Sequence, residues 1–230
     1  MLLALSHHPV AGKAASVQES LAKLVELQMM DGIVHGVLMI MLAVLVAGFT
    51  SFSVMLGRAR LPVIAGLAAY GLGCCIVVAA MLLDGFVVPQ LAVTFAAAPE
   101  GDVHVVYLIL RVIGTAIQVL TKAGLLAMCA ALLAWSYALA TMQGMAGSRW
   151  CAAVGTAGAL GSGLFIVFGN VLLTPASLMA IFGTHSLWNF GVAGLLYQAS
   201  RSVAIATPWR RPNSSSSTLE AKWPSTHESS

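Results

Sequence analysis

The strongest constraint on this chain lies in residues 103–141, an almost unbroken apolar stretch interrupted by His104, Arg111, Thr115, Gln118 and Lys122. These five stand 7, 4, 3 and 4 positions apart. At about 100° per residue on a helix they fall within an arc of roughly 60°. One face of a long helix is therefore polar, while the rest suits hydrocarbon. Charge facing lipid is costly, so such a stripe must meet other protein, a water-filled cavity or the membrane interface. As one straight helix the stretch would measure roughly 55–60 Å, against about 30 Å of hydrocarbon core. It either protrudes, lies partly in the interface before residues 122–141 cross, or breaks near 122–124 into two short spans. One crossing is expected, because nothing between 115 and 123 reads as a loop.

Composition sets the class. Only 8% of the 230 residues are charged and 59% are hydrophobic, whereas soluble domains carry about 25% charged residues. A chain this poor in charge cannot cover a soluble surface, so an all-α polytopic membrane protein is expected, with the lipid bilayer as its first partner. The net charge of +3 comes without any basic, aromatic-interleaved patch, which argues against nucleic acid. Cys74, Cys75, Cys129 and Cys151 form no CxxC pair and read as small packing residues rather than a disulfide framework or a cysteine metal site.

Five spans are expected, at 33–56, 62–84, 103–141, 150–173 and 178–198. Before them, residues 1–32 form an N-terminal segment with an amphipathic helix. Ser16 and Glu19 make a capping box for it, and its apolar side, Val17, Leu21, Leu24 and Val25, is expected to rest on the membrane surface. Residues 86–102 read as the longest internal connection. Small residues at Gly32 and Gly36, at Ala65, Ala69 and Gly73, and at Gly155, Ala159 and Gly163 recur every four positions, which permits close helix approach within the bundle or against other membrane subunits. Residues 201–230, rich in serine and proline, are expected to form a disordered tail.

Charge placement gives the orientation. Arg58, Arg60, Arg149, Arg201, Arg210 and Arg211 fall on one side of a five-span layout, and Asp31, Asp84, Glu100 and Asp102 on the other. The positive-inside rule puts the C-terminus in the cytoplasm and the N-terminus outside. Six spans would separate the arginines, which counts against the broken layout. The stretch 84–89 and the glycine-rich fourth segment have the look of bacterial membrane proteins, so an inner-membrane location is expected.

Polar groups from all five expected spans gather in the outer half: His35, Asp84, Arg111, Asn170, His185 and Asn189. Each also has a structural reading. Arg111 can pair with Asp84 or snorkel outward, and His185 and Asn189 can bond a neighbouring helix. The cluster suits a non-enzymatic transport, binding or complex-subunit role. The alternative is a metal-dependent or redox enzyme using the same groups. His35, Asp84 and His185 are the weak metal candidates, since zinc needs three such ligands and an open position. The fifth segment, however, reads His-x-x-x-Asn rather than His-x-x-x-His. Haem would need two histidines facing each other at one depth, and His35 and His185 differ by about 9 Å at 1.5 Å per residue. No resident cofactor follows from the sequence. There is no GxSxG context, no P-loop and no GxGxxG before a helix.

Overall fold

The computed structural model describes residues 16–142, 147–169 and 173–206, and within them every regular element is a helix. Helix α1 is Val17–Leu56, α2 is Leu61–Leu82, a π turn occupies Leu83–Val87, α3 is Val88–Phe95, α4 is Glu100–Ala140, α5 is Ser148–Phe168 and α6 is Pro175–Ala206. Stretches Val17–Leu56, Leu61–Phe95, Gly101–Ala140 and Ser148–Phe168 are long and apolar enough to cross a membrane. Helix α6 matches them in length, but Thr184, His185, Ser186 and Asn189 reduce its apolarity.

Helix α1 starts where its cap dictates. Ser16 is extended, and its Oγ accepts the Glu19 amide at 3.1 Å, while Lys23 pairs with Glu19 at 2.8 Å one turn on. The expected boundary near residue 32 is absent. No proline or positive-φ residue interrupts the run, so the amphipathic segment and the first span are one helix of 40 residues, about 60 Å long. Its apolar side does not lie free for a membrane surface. Leu21 is buried with Ala92, Val103 and Val106, and Val17, Leu24 and Val25 pack around it.

The connection expected at 86–102 is also mostly helix. Helix α2 runs through the π turn into α3, and only residues 96–99 turn the chain. Pro89 explains the π turn. Proline lacks an N–H, and its ring presses on the carbonyl four residues back, here Gly85. Widening the turn, with the Val88 amide on the Leu83 carbonyl, accommodates both effects without ending the helix. Helix α4 is one continuous helix of 41 residues, so the break considered near 122–124 is absent. Helix α6 extends past the expected 198 and takes residues 201–206 out of the tail.

Helices α1, α2, α4, α5 and α6 close a ring, each packing on the next and α6 returning to α1. The tightest seam joins α2 to α4. A Cβ on Gly73 would stand 2.8 Å from the Gly124 carbonyl, and one on Gly124 would stand 2.5 Å from Val77, so only glycine permits this approach. Of the other small-residue series, Gly155 and Ala159 turn inward, whereas Gly36 and Gly163 have open space around them. The ring is filled by aromatics. Phe49 stacks on Trp135 at 4.8 Å and on Trp188 at 5.4 Å, with Tyr70 edge-on at 4.7 Å. The Trp135 Nε1–H donates to Ser53 Oγ at 3.2 Å. All four cysteines are free, and Cys74, Cys129 and Cys151 are buried.

Both ends of the ring are tied. Arg60 donates to the Ala138 carbonyl at 3.2 Å and to Thr141 Oγ1 at 2.5 Å, so the α1–α2 turn and the end of α4 share one end of the molecule. Towards the other end, the Gln118 amide accepts from the Leu173 N–H at 2.8 Å and donates to its carbonyl at 3.1 Å, holding the α5–α6 connection against α4.

Candidate functional site

The charged centre of the fold is a histidine between two carboxylates. Asp31 and His35 are four residues apart on α1 and share a helix face. His35 Nδ1 lies 2.9 Å from the Asp31 carbonyl and 3.2 Å from its carboxylate. Nε2 on the other edge of the ring lies 3.3 Å from the Asp84 carboxylate. The His35 side chain is 5% exposed, Asp31 12% and Asp84 38%. A neutral imidazole donates from one nitrogen only, so acceptors at both edges are satisfied together only when both nitrogens carry a proton.

The π turn builds this arrangement. It carries Asp84 and, next to it, Gly85, on which the His35 ring rests: a Cβ there would stand 2.5 Å from His35 Cγ. The extra residue in the turn aims Asp84 at the histidine. Below the triad is a cavity of about 70 Å³, bordered by His35 and Asp84 and otherwise mainly by apolar side chains, with Thr121 the exception. Drug-sized ligands fill pockets of about 300–1,000 Å³, whereas a single water needs roughly 10–15 Å³. The space therefore suits a few waters or a small ion.

The other expected site residues separate. His185 and Asn189 border a smaller cavity that also touches Tyr70, and His185 Nε2 lies 3.9 Å from the Cys129 sulfur. Arg111 is exposed on α4, and Asp84 faces His35 instead. His104 and Thr115 are exposed, the Thr115 hydroxyl returning to the Arg111 carbonyl at 2.9 Å, and Lys122 is half-buried. The polar stripe is thus not the wall of the site; among the described residues its tertiary hydrogen bonds are those of Gln118 to Leu173. Asn170 lies outside the described residues. Among the described residues, no group of three His, Cys, Asp or Glu side chains is arranged to hold a metal ion. His35 has an acceptor on each ring nitrogen and offers no free edge to His185.

Asp31 was absent from the expected cluster, although its signal was present. Asp-x-x-x-His places both groups on one helix face once the helix is known to begin before residue 31. Phe182, which borders both cavities, carried no comparable sign. Compared with protein-family models, curated proteins and solved structures, the chain matches none.

Proposed function

We propose that this is a five-span integral membrane protein without enzymatic activity, whose Asp31–His35–Asp84 site takes up and passes protons at the outer membrane boundary. Helix α6 closes the ring of five, which supports it as the fifth span despite its lower apolarity. Helix α5, with 21 residues, is about 32 Å long and fits the hydrocarbon core. Measured along α1 from Leu56, His35 stands about 32 Å from the arginine-bearing end. The site and the Gln118–Leu173 tie then lie at the boundary opposite Arg58, Arg60 and Arg149. The positive-inside rule makes that boundary the outer one. The first half of α1, α3 and the first half of α4 project beyond it.

The observation that carries this reading is one buried imidazole with a carboxylate on each edge, above a cavity of water-sized capacity. Release of the Nε2 proton to Asp84 leaves a neutral ring that still donates from Nδ1 to Asp31, so a proton can move across the pair without loss of its hydrogen bonds. Intramembrane ionisable groups that face a cavity mark ion and proton paths. The test uses the purified full chain in vesicles loaded with a pH-sensitive dye. An imposed pH gradient should collapse faster than in empty vesicles, and Asp84→Asn should remove most of the difference. Wild-type vesicles that behave like empty ones would refute the reading.

A complex-subunit role is the second reading. Met29, Met30, Val105, Leu108 and Val112 are exposed on the projecting part, where apolar surface calls for a partner. A detergent-solubilised particle whose protein mass stays at one 23.8 kDa chain, even after gentle extraction from native membrane, counts against it.

A further inference from the structure

Beneath the His35 cavity lies a second one of about 20 Å³, enough for about one water. Its wall has a polar side made by Tyr70, His185, Ser186 and Asn189. His185 is 6% exposed. Its one side-chain hydrogen bond among the described residues is to the Cys129 sulfur, 3.9 Å from Nε2, and a thiol is a weak partner. Buried polar groups in folded proteins are satisfied by protein or by ordered water. This imidazole borders the space in which such a water fits.

The two cavities are stacked. Moving from the first to the second, the lining shifts towards the arginine-bearing end on every contributing helix: Leu38 to Leu42 on α1, Val77 to Tyr70 on α2, Thr121 to Met128 on α4, and Leu178 to His185 on α6. Phe182 borders both and is buried. No other described residue lines both cavities. Rotation of the Phe182 side chain is therefore the motion that joins the two spaces without unwinding α6.

We infer that His185 and Asn189 form a second station, occupied by water, on the path that begins at His35, with the Phe182 ring as the partition between the stations. The inference deepens the proton reading of the His35 site and rests on it.

Cys129 is a native reporter beside His185. The full chain carrying Cys74→Ser, Cys75→Ser and Cys151→Ser is placed in vesicles and exposed to silver ion. Silver replaces the thiol proton to give a silver thiolate and releases that proton. The fraction of Cys129 protected from maleimide after denaturation is then counted by mass spectrometry. Phe182→Ala should speed protection at least tenfold and Phe182→Trp should slow it. Thr121→Trp, which narrows the upper cavity, should cancel the acceleration. If Phe182→Ala does not fold, Phe182→Leu serves, with an expected acceleration of about threefold. Equal rates in wild type and in the smaller Phe182 variants overturn the partition, and acceleration untouched by Thr121→Trp overturns the continuity of the two cavities. The readout needs no proton flux. A Phe182 effect without wild-type flux therefore supports the connected stations and rejects the proton reading, whereas flux without a Phe182 effect does the reverse.

Discussion

His35 on α1 and Asp84 on the π turn meet at 3.3 Å, with the histidine ring laid against the bare backbone of Gly85. The contact fastens α1 to the α2–α3 helix where the ring of five gives way to the projecting three-helix part. It also leaves Asp31 and Asp84 on opposite edges of one imidazole, so removing the histidine affects two carboxylates at once.

His35→Ala should therefore destabilise the fold by about 3 kcal/mol, the typical cost of removing one partner from a buried ion pair. Asp84→Asn should cost about 1 kcal/mol or less, because Asp84 is 38% exposed and solvent already screens part of its interaction. Thermal unfolding in detergent, followed by circular dichroism, should rank them in that order. Equal losses would mean that Asp31 does not depend on His35.

Gly85→Ala should displace the His35 ring, because its Cβ would stand 2.5 Å from Cγ and 2.7 Å from Nδ1. The expected cost is about 1–3 kcal/mol, the range for overpacking, together with the transport defect of Asp84→Asn. Gly36→Ala is the control, with nothing within 4 Å of the added methyl. Its melting temperature and flux should match wild type.

Gln118→Ala should free the connection between α5 and α6 by removing both bonds to Leu173. Interhelical hydrogen bonds in membranes average about 0.6 kcal/mol, so a loss of about 1 kcal/mol is expected. Protease cleavage near residue 173 should rise in reconstituted vesicles, with little change near residue 97.

Orientation is testable with single cysteines at exposed positions near opposite ends. In intact cells, Asp102→Cys should react with an impermeant maleimide, and Arg58→Cys should react only after permeabilisation. The reverse pattern would invert the assigned topology while leaving the fold unchanged.

The helical class and the positions of most long apolar helices were legible because they depend on local quantities. Low charge, apolar runs longer than 20 residues and the Ser16 cap act through neighbours in sequence. Helix ends were less legible. The break expected near residue 32 and the loop expected at 86–102 both rested on local signals, small residues in one case and Gly85 and Pro89 in the other. Packing overrode them: Leu21 found Ala92 and Val103, and a π turn absorbed Pro89.

The site divides in the same way. The sequence by itself determined that ionisable groups interrupt an apolar chain and which groups they are. Only the tertiary structure decided their partners. Asp84 faces His35 rather than Arg111, Asp31 joins them, and His185 stands apart beside Cys129 across Phe182. The physical reason is angular. Periodicity fixes which residues share a face of one helix, but which face meets which neighbour depends on helix rotation and close approach, here set by Gly73 against Gly124, by Gly85 against His35 and by the extra residue of the π turn.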